Sequence, residues 1–191
     1  MVFNNILILV TYASLILMIV GNDRRIKLAS LSIVYLLTFI IIIQVWPVAL
    51  ASVKLISGWM GVILIGASQI SHFEDKADPS LASKAIFQLL ITALVWIVIT
   101  AEAAAFNEWI PIPYTNLYLG LVIIAGGLIN ASVNQLLFDV IIGVLTLLAG
   151  FDIIYSSLEG SALVTGIFAI MIIFISLLSN YFSASQGEIA E

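Results

Sequence analysis

The stretch PVALASVKLISGWMGVILIGASQIS, residues 47–71, is long and apolar enough to cross a bilayer, yet it carries Lys54 well inside it. A charge at the centre of a membrane helix costs about 2.5–3.5 kcal/mol on insertion scales, so we expect Lys54 to face protein or a hydrated cavity. Small residues on the Lys54 side of the helix would let a neighbouring helix approach closely. They are Ala51, Gly58 and Gly61. The stretch therefore predicts a membrane helix with a charge buried against protein.

The composition of the whole chain is that of a membrane protein. Of its 191 residues 63% are hydrophobic and only 9% are charged, whereas about a quarter of the residues in a soluble domain are charged. At about 20 residues per span, the length allows six or seven helices and leaves no room for a soluble catalytic domain. The net charge of −5 is spread over short loops and an acidic tail, which gives no indication of nucleic-acid binding. The absence of cysteine excludes disulfides and thiol catalysis.

Hydropathy predicts an all-α, polytopic transmembrane helix bundle in which residues 1–191 form one membrane domain. Seven spans are expected at about 3–20, 28–45, 48–70, 84–105, 117–131, 136–159 and 162–182. The first span is not expected to be a signal peptide, because its positive charges follow the apolar stretch instead of preceding it. The short connections at 46–47 and 160–161 could instead belong to re-entrant helices, so six spans stay possible.

Three of the connections carry predictions of their own. Segment 107–114 contains Trp, Tyr and two prolines, which is typical of a non-helical segment in the membrane interface. Segment 130–135 is predicted to be a short polar break between two spans. Gly160 is predicted to cap the sixth helix in the left-handed conformation, which glycine adopts at little cost.

The positive residues predict the orientation of the chain in the membrane. With seven spans, every Lys and Arg except Lys54 falls in a loop on one side. These are Arg24, Arg25, Lys27, Lys76 and Lys84. Because cytoplasmic loops are enriched in Lys and Arg, we expect an outside amino terminus and a cytoplasmic tail at 183–191. The chain is thus predicted to be a multi-pass protein of the cell membrane.

Two acids are predicted to lie at the same depth as Lys54. Lys54 lies seven residues past Pro47, about 10 Å from the outer edge at 1.5 Å rise per residue. Asp152 and Glu102 lie seven and five residues before the outer ends of their spans. Three interpretations stay open: a structural ion pair, a protonatable relay that feeds an ion path, and a Glu102 that only reaches the headgroups.

The relay interpretation depends on polar residues that recur along two spans and could line a hydrated route. They are Gln88, Thr92 and Glu102 on span four, and Asp152, Ser156 and Glu159 on span six. Asp139 lies near the inner end of span six, 13 residues before Asp152. At 100° per residue the two acids point about 140° apart, so a relay through both would need neighbouring helices or water.

We expect neither a metal site nor an enzymatic active site. His72 is the only histidine, and no second histidine or cysteine is present to complete a soft-ligand site, so we expect it to be solvated. Four glycines inside apolar spans are assigned to close helix packing and not to phosphate binding. They are Gly126, Gly127, Gly143 and Gly150. No nucleophile–base arrangement is evident, and no cofactor is expected.

The segment LLAGFDII, residues 147–154, resembles the glycine–apolar–acid–apolar pattern of the small hydrophobic membrane subunits of the complex I, hydrogenase-4 and multisubunit cation/proton antiporter group. Lys54 in ASVKLI, residues 51–56, is similar to a lysine in the third span of the hydrogenase-4 small membrane subunit. In that family the buried acid, a glutamate, takes part in proton translocation. The resemblance implies that Asp152 is the counterpart of this acid and Lys54 the counterpart of the lysine.

The function predicted from the sequence is that of a non-catalytic subunit of a larger membrane complex concerned with proton or cation movement. Short loops and the lack of a convincing internal repeat favour a subunit, since solitary transporters usually carry repeats with broken helices. Such a protein would bind the lipid bilayer and other membrane subunits. Two alternatives stay open: an independent small-solute channel or transporter, and a purely structural protein that packs against partner subunits.

Overall fold

Seven α-helices make up nearly all of the chain that is described by the computed structural model, which covers residues 2–68, 81–133 and 136–188. They are α1 (Val2–Val20), α2 (Arg24–Ile42), α3 (Val48–Ser68), α4 (Leu81–Trp109), α5 (Tyr114–Val133), α6 (Leu137–Leu158) and α7 (Ala162–Glu188). By length and composition, α2 to α7 can each cross a membrane, and α1 contains a shorter apolar stretch. The predicted all-α polytopic bundle is therefore confirmed, and its apolar helices indicate a lipid bilayer environment.

The helix ends gather at two opposite ends of the bundle. At one, which we call the Trp46 end, the Asn116 amide at the start of α5 donates to Ser157 near the end of α6 (3.1 Å). Gly160, just after α6, lies beside the indole of Trp46, which precedes α3. At the other, which we call the Arg24 end, the end of α1 and the first turns of α2, α4 and α6 surround one cavity. Consecutive helices therefore alternate in direction.

Helix α6 lies at the centre of the bundle. It contacts α2, α5 and α7, and 12 of its 22 residues are buried, so more than one of its sides faces protein. Helix α5 is its closest neighbour because glycines on the two helices face each other. A Cβ atom on Gly127 would lie 2.5 Å from the Gly143 carbonyl oxygen, and one on Gly150 would lie 2.7 Å from the Gly120 carbonyl oxygen. The predicted close packing at Gly127, Gly143 and Gly150 is confirmed.

Helix α3 packs between α2 and α7 along the small residues that share a side with Lys54. Ala51 is fully buried, Gly58 lies directly against the ring of Tyr35 on α2, and Gly61 lies against Ser176 on α7. Helix α4, in contrast, contacts only α1 and α5 to any extent, and just 11% of its apolar window is buried. Its outer side is therefore the largest part of the helical surface left to lipid or to another protein.

Three local predictions are wrong. Helix α4 continues to Trp109, so only residues 110–113 form the non-helical connection to α5. Helix α5 continues through Asn130 to Val133, and the buried Asn130 side chain donates from its Nδ2 to the Asp139 carbonyl oxygen (2.8 Å) and does not break the helix. Helix α6 is capped by Glu159 in an extended conformation (φ −144°), and no described glycine has a positive φ, so Gly160 is not a left-handed cap.

The connection at 46–47 joins two continuous helices, α2 and α3, and each is long and apolar enough to cross a membrane. The predicted third span extends to residue 70, whereas α3 is described as far as Ser68. The loop with His72 and Lys76 and the last three residues of the tail lie outside the described residues.

Candidate charge-pair site

Lys54 on α3 forms an ion pair with Asp152 on α6. The Lys54 Nζ lies 2.5 Å from the Asp152 Oδ1, and the two side chains are only 4% and 5% exposed. The ring of Trp46 lies 4.4 Å from the same Nζ, so the ammonium also has a cation–π contact. Of the two acids considered as partners of Lys54, the structure thus brings only Asp152 to it.

The hydroxyl groups beside this pair are bonded to the helix backbone. The Ser57 hydroxyl donates to the Lys54 carbonyl oxygen (3.0 Å), and the Ser156 hydroxyl donates to the Asp152 carbonyl oxygen (2.6 Å). Tyr35 of α2 packs its ring against Gly58 of α3, and its hydroxyl donates to the Leu145 carbonyl oxygen of α6 (3.3 Å). Tyr35 therefore touches both of the helices that carry the pair.

A second buried ion pair, Lys27 with Asp139, lies at the Arg24 end. The Lys27 Nζ is 2.5 Å from the Asp139 Oδ1, with side-chain exposures of 6% and 4%. The prediction that Lys27 lies in a loop is therefore wrong, because α2 already begins at Arg24. Asp139, for which the sequence indicates no partner, is paired with Lys27. The missed signal is helical spacing: Lys27 lies four residues before Leu31 and seven before Val34, both fully buried.

The two pairs share one geometry. Both aspartates are on α6, 13 residues or about 20 Å apart along its axis, and both lysines are on the α2–α3 hairpin. Between them, the Thr146 hydroxyl is fully buried and donates to the Ile142 carbonyl oxygen (2.8 Å), and the Met18 sulfur lies 3.3 Å from the same oxygen. The hairpin is therefore held to α6 near both ends of the bundle.

Glu102 does not join either pair. It is exposed on the outer side of α4 and forms no ion pair with any residue that the structure describes. Gln88 and Thr92 are buried, and the buried side of α4 continues to Ala103, so the proposed polar stripe from Gln88 to Glu102 is wrong. Glu102 follows Thr92 by ten residues, and ten residues are not a whole number of helical turns. Its side chain therefore does not point to the buried side of α4, where Thr92 lies.

Glu159 also lies outside the core. Helix α6 ends one residue earlier, so Glu159 turns towards the surface and accepts a hydrogen bond from the Tyr155 hydroxyl (3.2 Å). Of the three polar residues predicted to line a route along span six, Asp152 and Ser156 are therefore buried and Glu159 is exposed. Of the five candidate charge residues, Lys54, Asp152 and Asp139 are buried in pairs, and Glu102 and Glu159 are exposed.

A cluster of tyrosines attaches α4 to the bundle. The Tyr12 hydroxyl of α1 and the Tyr118 hydroxyl of α5 are hydrogen-bonded to each other, and Tyr118 is also bonded to the Thr100 hydroxyl of α4 (3.1 Å). The Tyr12 ring packs on Trp96 of α4 with centroids 4.2 Å apart. The aromatic residues belong to three separate spans, so no local pattern in the sequence indicates this cluster.

The donor set gives no sign of a metal centre in the described part of the chain. Within residues 2–68, 81–133 and 136–188, no three His, Cys, Asp or Glu side chains are grouped so that they could hold a metal ion. The prediction about His72 falls outside these ranges. No protein-family model, no curated protein and no solved structure matches the chain.

Proposed function

We propose that this chain is a non-catalytic integral membrane subunit of a larger complex in the cell membrane, and that its buried Lys–Asp pairs assist proton or cation movement there. The observation that carries the proposal is the presence of two such pairs on one helix, one near each end of the bundle. Ionisable residues inside a membrane bundle commonly belong to proton relays or ion paths. The resemblance of the segment around Asp152 to proton-translocating small subunits supports the same function.

Each pair can hold a mobile proton without placing a net charge in the core. The proton can reside on Lys54, giving an ammonium and a carboxylate, or move from Nζ to Oδ1, giving a neutral amine and a carboxylic acid. The Nζ and Oδ1 atoms are in direct contact, so that transfer needs no intervening water. A charge that arrives near one end of the bundle would bias this equilibrium electrostatically.

The region between the pairs contains hydroxyl groups but few charges. Tyr35 and Thr146 are buried there, and both are bonded to carbonyl oxygens of α6. They supply exchangeable protons within the roughly 20 Å between Asp139 and Asp152. Passage along this route would require these hydroxyls to rotate away from the carbonyls or to admit water.

The exposed Glu102 supports the assignment as a subunit. A carboxylate on the lipid side of a membrane helix is costly, and such residues usually pair with another group. Glu102 lies seven residues, or about 10 Å, before the end of α4, the helix with the least contact to the rest of the bundle. A partner subunit that presents a cation or hydrogen-bond donor to this side of α4 would stabilise it.

A second candidate function is purely structural, and the direct contact within each pair favours it. Buried ion pairs with short contacts can hold helices in register without any proton movement. In this interpretation the pairs only fix the α2–α3 hairpin on α6.

Replacing the Lys54 pair by apolar residues of similar size distinguishes the two functions. The complex should first be purified in mild detergent and its components identified by mass spectrometry, since stoichiometric ion-pumping subunits are expected. Lys54→Met/Asp152→Leu should still assemble, because buried pairs can be replaced by apolar residues without loss of stability. If the pair relays protons, reconstituted vesicles that contain this variant should lose translocation.

The matched control is Glu159→Gln, which removes an exposed acid near the same end of α6 and should leave translocation unchanged. Full translocation by a well-assembled Lys54→Met/Asp152→Leu complex would reject the relay and leave the structural function. Purification of the chain only as a homo-oligomer would instead support an independent channel.

A further inference from the structure

A cavity of about 100 Å³ at the Arg24 end, which we call the Arg24 cavity, extends from the surface of the bundle to the Lys27–Asp139 pair. The residues that line it include the exposed Asn22, in the connection after α1, and the exposed Lys84 in the first turn of α4. They also include the buried side chains of Lys27 and Asp139. The cavity therefore connects this buried pair with the end of the bundle.

The size and the lining of the Arg24 cavity suit water. A volume of about 100 Å³ is enough for several water molecules, and an ordered water inside a protein needs about two to four polar partners. Asn22, Lys84 and Gln88 place polar side chains along the wall. The pair adds an ammonium and a carboxylate. Waters in the cavity would therefore find hydrogen-bond partners from the surface down to the pair.

A buried amide beside Asp139 adds a separate reason for water at this depth. The Asn130 side chain is fully buried, and its Nδ2 donates to the Asp139 carbonyl oxygen (2.8 Å). Its Oδ1 has no hydrogen-bond partner among the residues that the structure describes. Because a buried acceptor without a donor costs about 1–3 kcal/mol, a water that reaches Asp139 through the cavity would stabilise this amide.

The Lys54–Asp152 pair has different surroundings. The ring of Trp46 lies 4.4 Å from the Lys54 Nζ, and the Ser57 and Ser156 hydroxyls beside the pair donate to helix carbonyl oxygens. An aromatic ring and hydroxyls that already donate offer water little to bind. The two pairs are buried to a similar degree, so they differ mainly in what surrounds them.

We propose that the Arg24 cavity is filled with water and gives the Lys27–Asp139 pair access to the aqueous phase, whereas the Lys54–Asp152 pair is shielded from water. Ionisable residues inside a membrane bundle commonly face a water-filled cavity. The part of the cavity in proton movement rests on the function proposed above. There, a hydronium ion in the cavity transfers its proton to the Asp139 carboxylate, which leaves a water molecule and a neutral carboxylic acid beside the Lys27 ammonium.

Single cysteines can test the proposal, because the chain contains no cysteine of its own. Ala85 lines the Arg24 cavity, and the next residue, Ile86, is exposed on the outside of α4 (60%). Ala85→Cys and Ile86→Cys are therefore a matched pair at nearly the same depth. Gln88→Cys, in the cavity lining, and Leu89→Cys, on the outside, repeat the comparison one turn further into the membrane.

Each variant is treated in sealed vesicles with a charged methanethiosulfonate, which reacts only with thiols that water reaches. We expect Ala85→Cys to react at least about tenfold faster than Ile86→Cys, because a thiol in an apolar environment stays protonated and unreactive. This reaction should occur only from the side on which Arg25→Cys reacts. Ser57→Cys, beside Lys54, should not react from either side. Equal rates at positions 85 and 86, or an equally fast reaction of Ser57→Cys, would overturn the proposal.

Filling the cavity tests its part in proton movement. In a complex that translocates protons, Ala85→Trp should remove most of the translocation, whereas Ile86→Trp, on the outside of α4, should leave it unchanged. Ala85→Leu repeats the test with a smaller side chain if Ala85→Trp does not assemble. Full translocation by a well-assembled Ala85→Trp or Ala85→Leu complex would refute proton entry through the cavity. A complex that translocates nothing, while Ala85→Cys still reacts faster than Ile86→Cys, would reject the proposed function and support the water-filled cavity.

Discussion

Replacing Gly143 of α6 by alanine should destabilise the bundle, whereas the same replacement at Gly166 of α7 should not. A Cβ atom at Gly143 would lie 2.6 Å from the Gly127 carbonyl oxygen and 2.8 Å from the Ala131 amide nitrogen. Both of these are backbone atoms, which cannot rotate out of the way as a side chain can. Alanine at position 143 therefore requires α5 and α6 to move apart.

The size of the effect follows from these distances. Ordinary contact begins near 3.4 Å, so the new methyl group falls about 0.8 Å short of the Gly127 oxygen. Overpacking of this kind typically costs about 1–3 kcal/mol. The cost acts on the closest helix pair of the bundle, where Gly120 and Gly150 make a second contact of the same type seven residues away. Separation at one contact should therefore loosen the other.

Gly166→Ala is the matched control, because no atom lies within 4 Å of a Cβ at this position of α7. There the higher helix propensity of alanine should leave stability unchanged or raise it by up to about 1 kcal/mol. Equilibrium unfolding in dodecyl maltoside micelles with increasing SDS, followed by tryptophan fluorescence, measures both variants. If Gly143→Ala is as stable as Gly166→Ala, the backbone contact between α5 and α6 is not formed as described.

Three further outcomes are expected. Lys27→Met should lose about 3–5 kcal/mol in the same unfolding assay because it leaves Asp139 buried without its cation, and Lys27→Met/Asp139→Leu should recover most of the loss. A double variant whose loss equals the sum of the losses of Lys27→Met and Asp139→Leu would show that the two residues do not interact. In the cysteine-free chain, a cysteine in place of exposed Trp109 should be labelled from outside and one in place of Arg25 from the cytoplasm, and the reverse would contradict the orientation. Tyr35→Phe keeps the ring against Gly58 but removes the hydroxyl, so it should cost about 1 kcal/mol of stability. If the relay exists, this variant should also reduce translocation in vesicles, and unchanged translocation would exclude Tyr35 from the route.

The helices could be predicted from the sequence because membrane spans depend on composition over about 20 residues, which is a local property. The burial of Lys54 could also be predicted from the local sequence, because the small residues on its side of the helix recur at helical spacing. Lys27 was misjudged for a related reason. It lies near the end of an apolar span beside two arginines, where a charge at the membrane surface is the ordinary expectation.

The choice between Asp152 and Glu102 could not be made from the sequence. Depth along the membrane placed both acids level with Lys54, but depth says nothing about which helices are neighbours. In the structure α3 packs against α2 and α7, while α4 packs against α5 and α1. Glu102 is therefore on a helix that does not adjoin α3, and only tertiary packing decides this.

The predicted orientation of the chain does not depend on Lys27. Apart from Lys27 and Lys54, which are buried in ion pairs, the Lys and Arg residues are Arg24, Arg25, Lys76 and Lys84, and the sequence predicts all four on one side of the membrane. The predicted excess of positive charge on the cytoplasmic side then rests on these four residues, and none of them is predicted on the other side. The core itself contributes no net charge, so the net charge of −5 belongs entirely to residues outside the two pairs.

The angle between the two aspartates explains why α6 needs a whole hairpin as its partner. Because Asp139 and Asp152 point about 140° apart on α6, no single straight helix could pair with both. In the structure the two aspartates pair with different helices of the α2–α3 hairpin: Lys27 of α2 pairs with Asp139, and Lys54 of α3 pairs with Asp152. A relay between the pairs must then pass from the α2 side to the α3 side of α6, and Tyr35, which lies against Gly58 of α3 and bonds to Leu145 of α6, is the buried hydroxyl at that crossing.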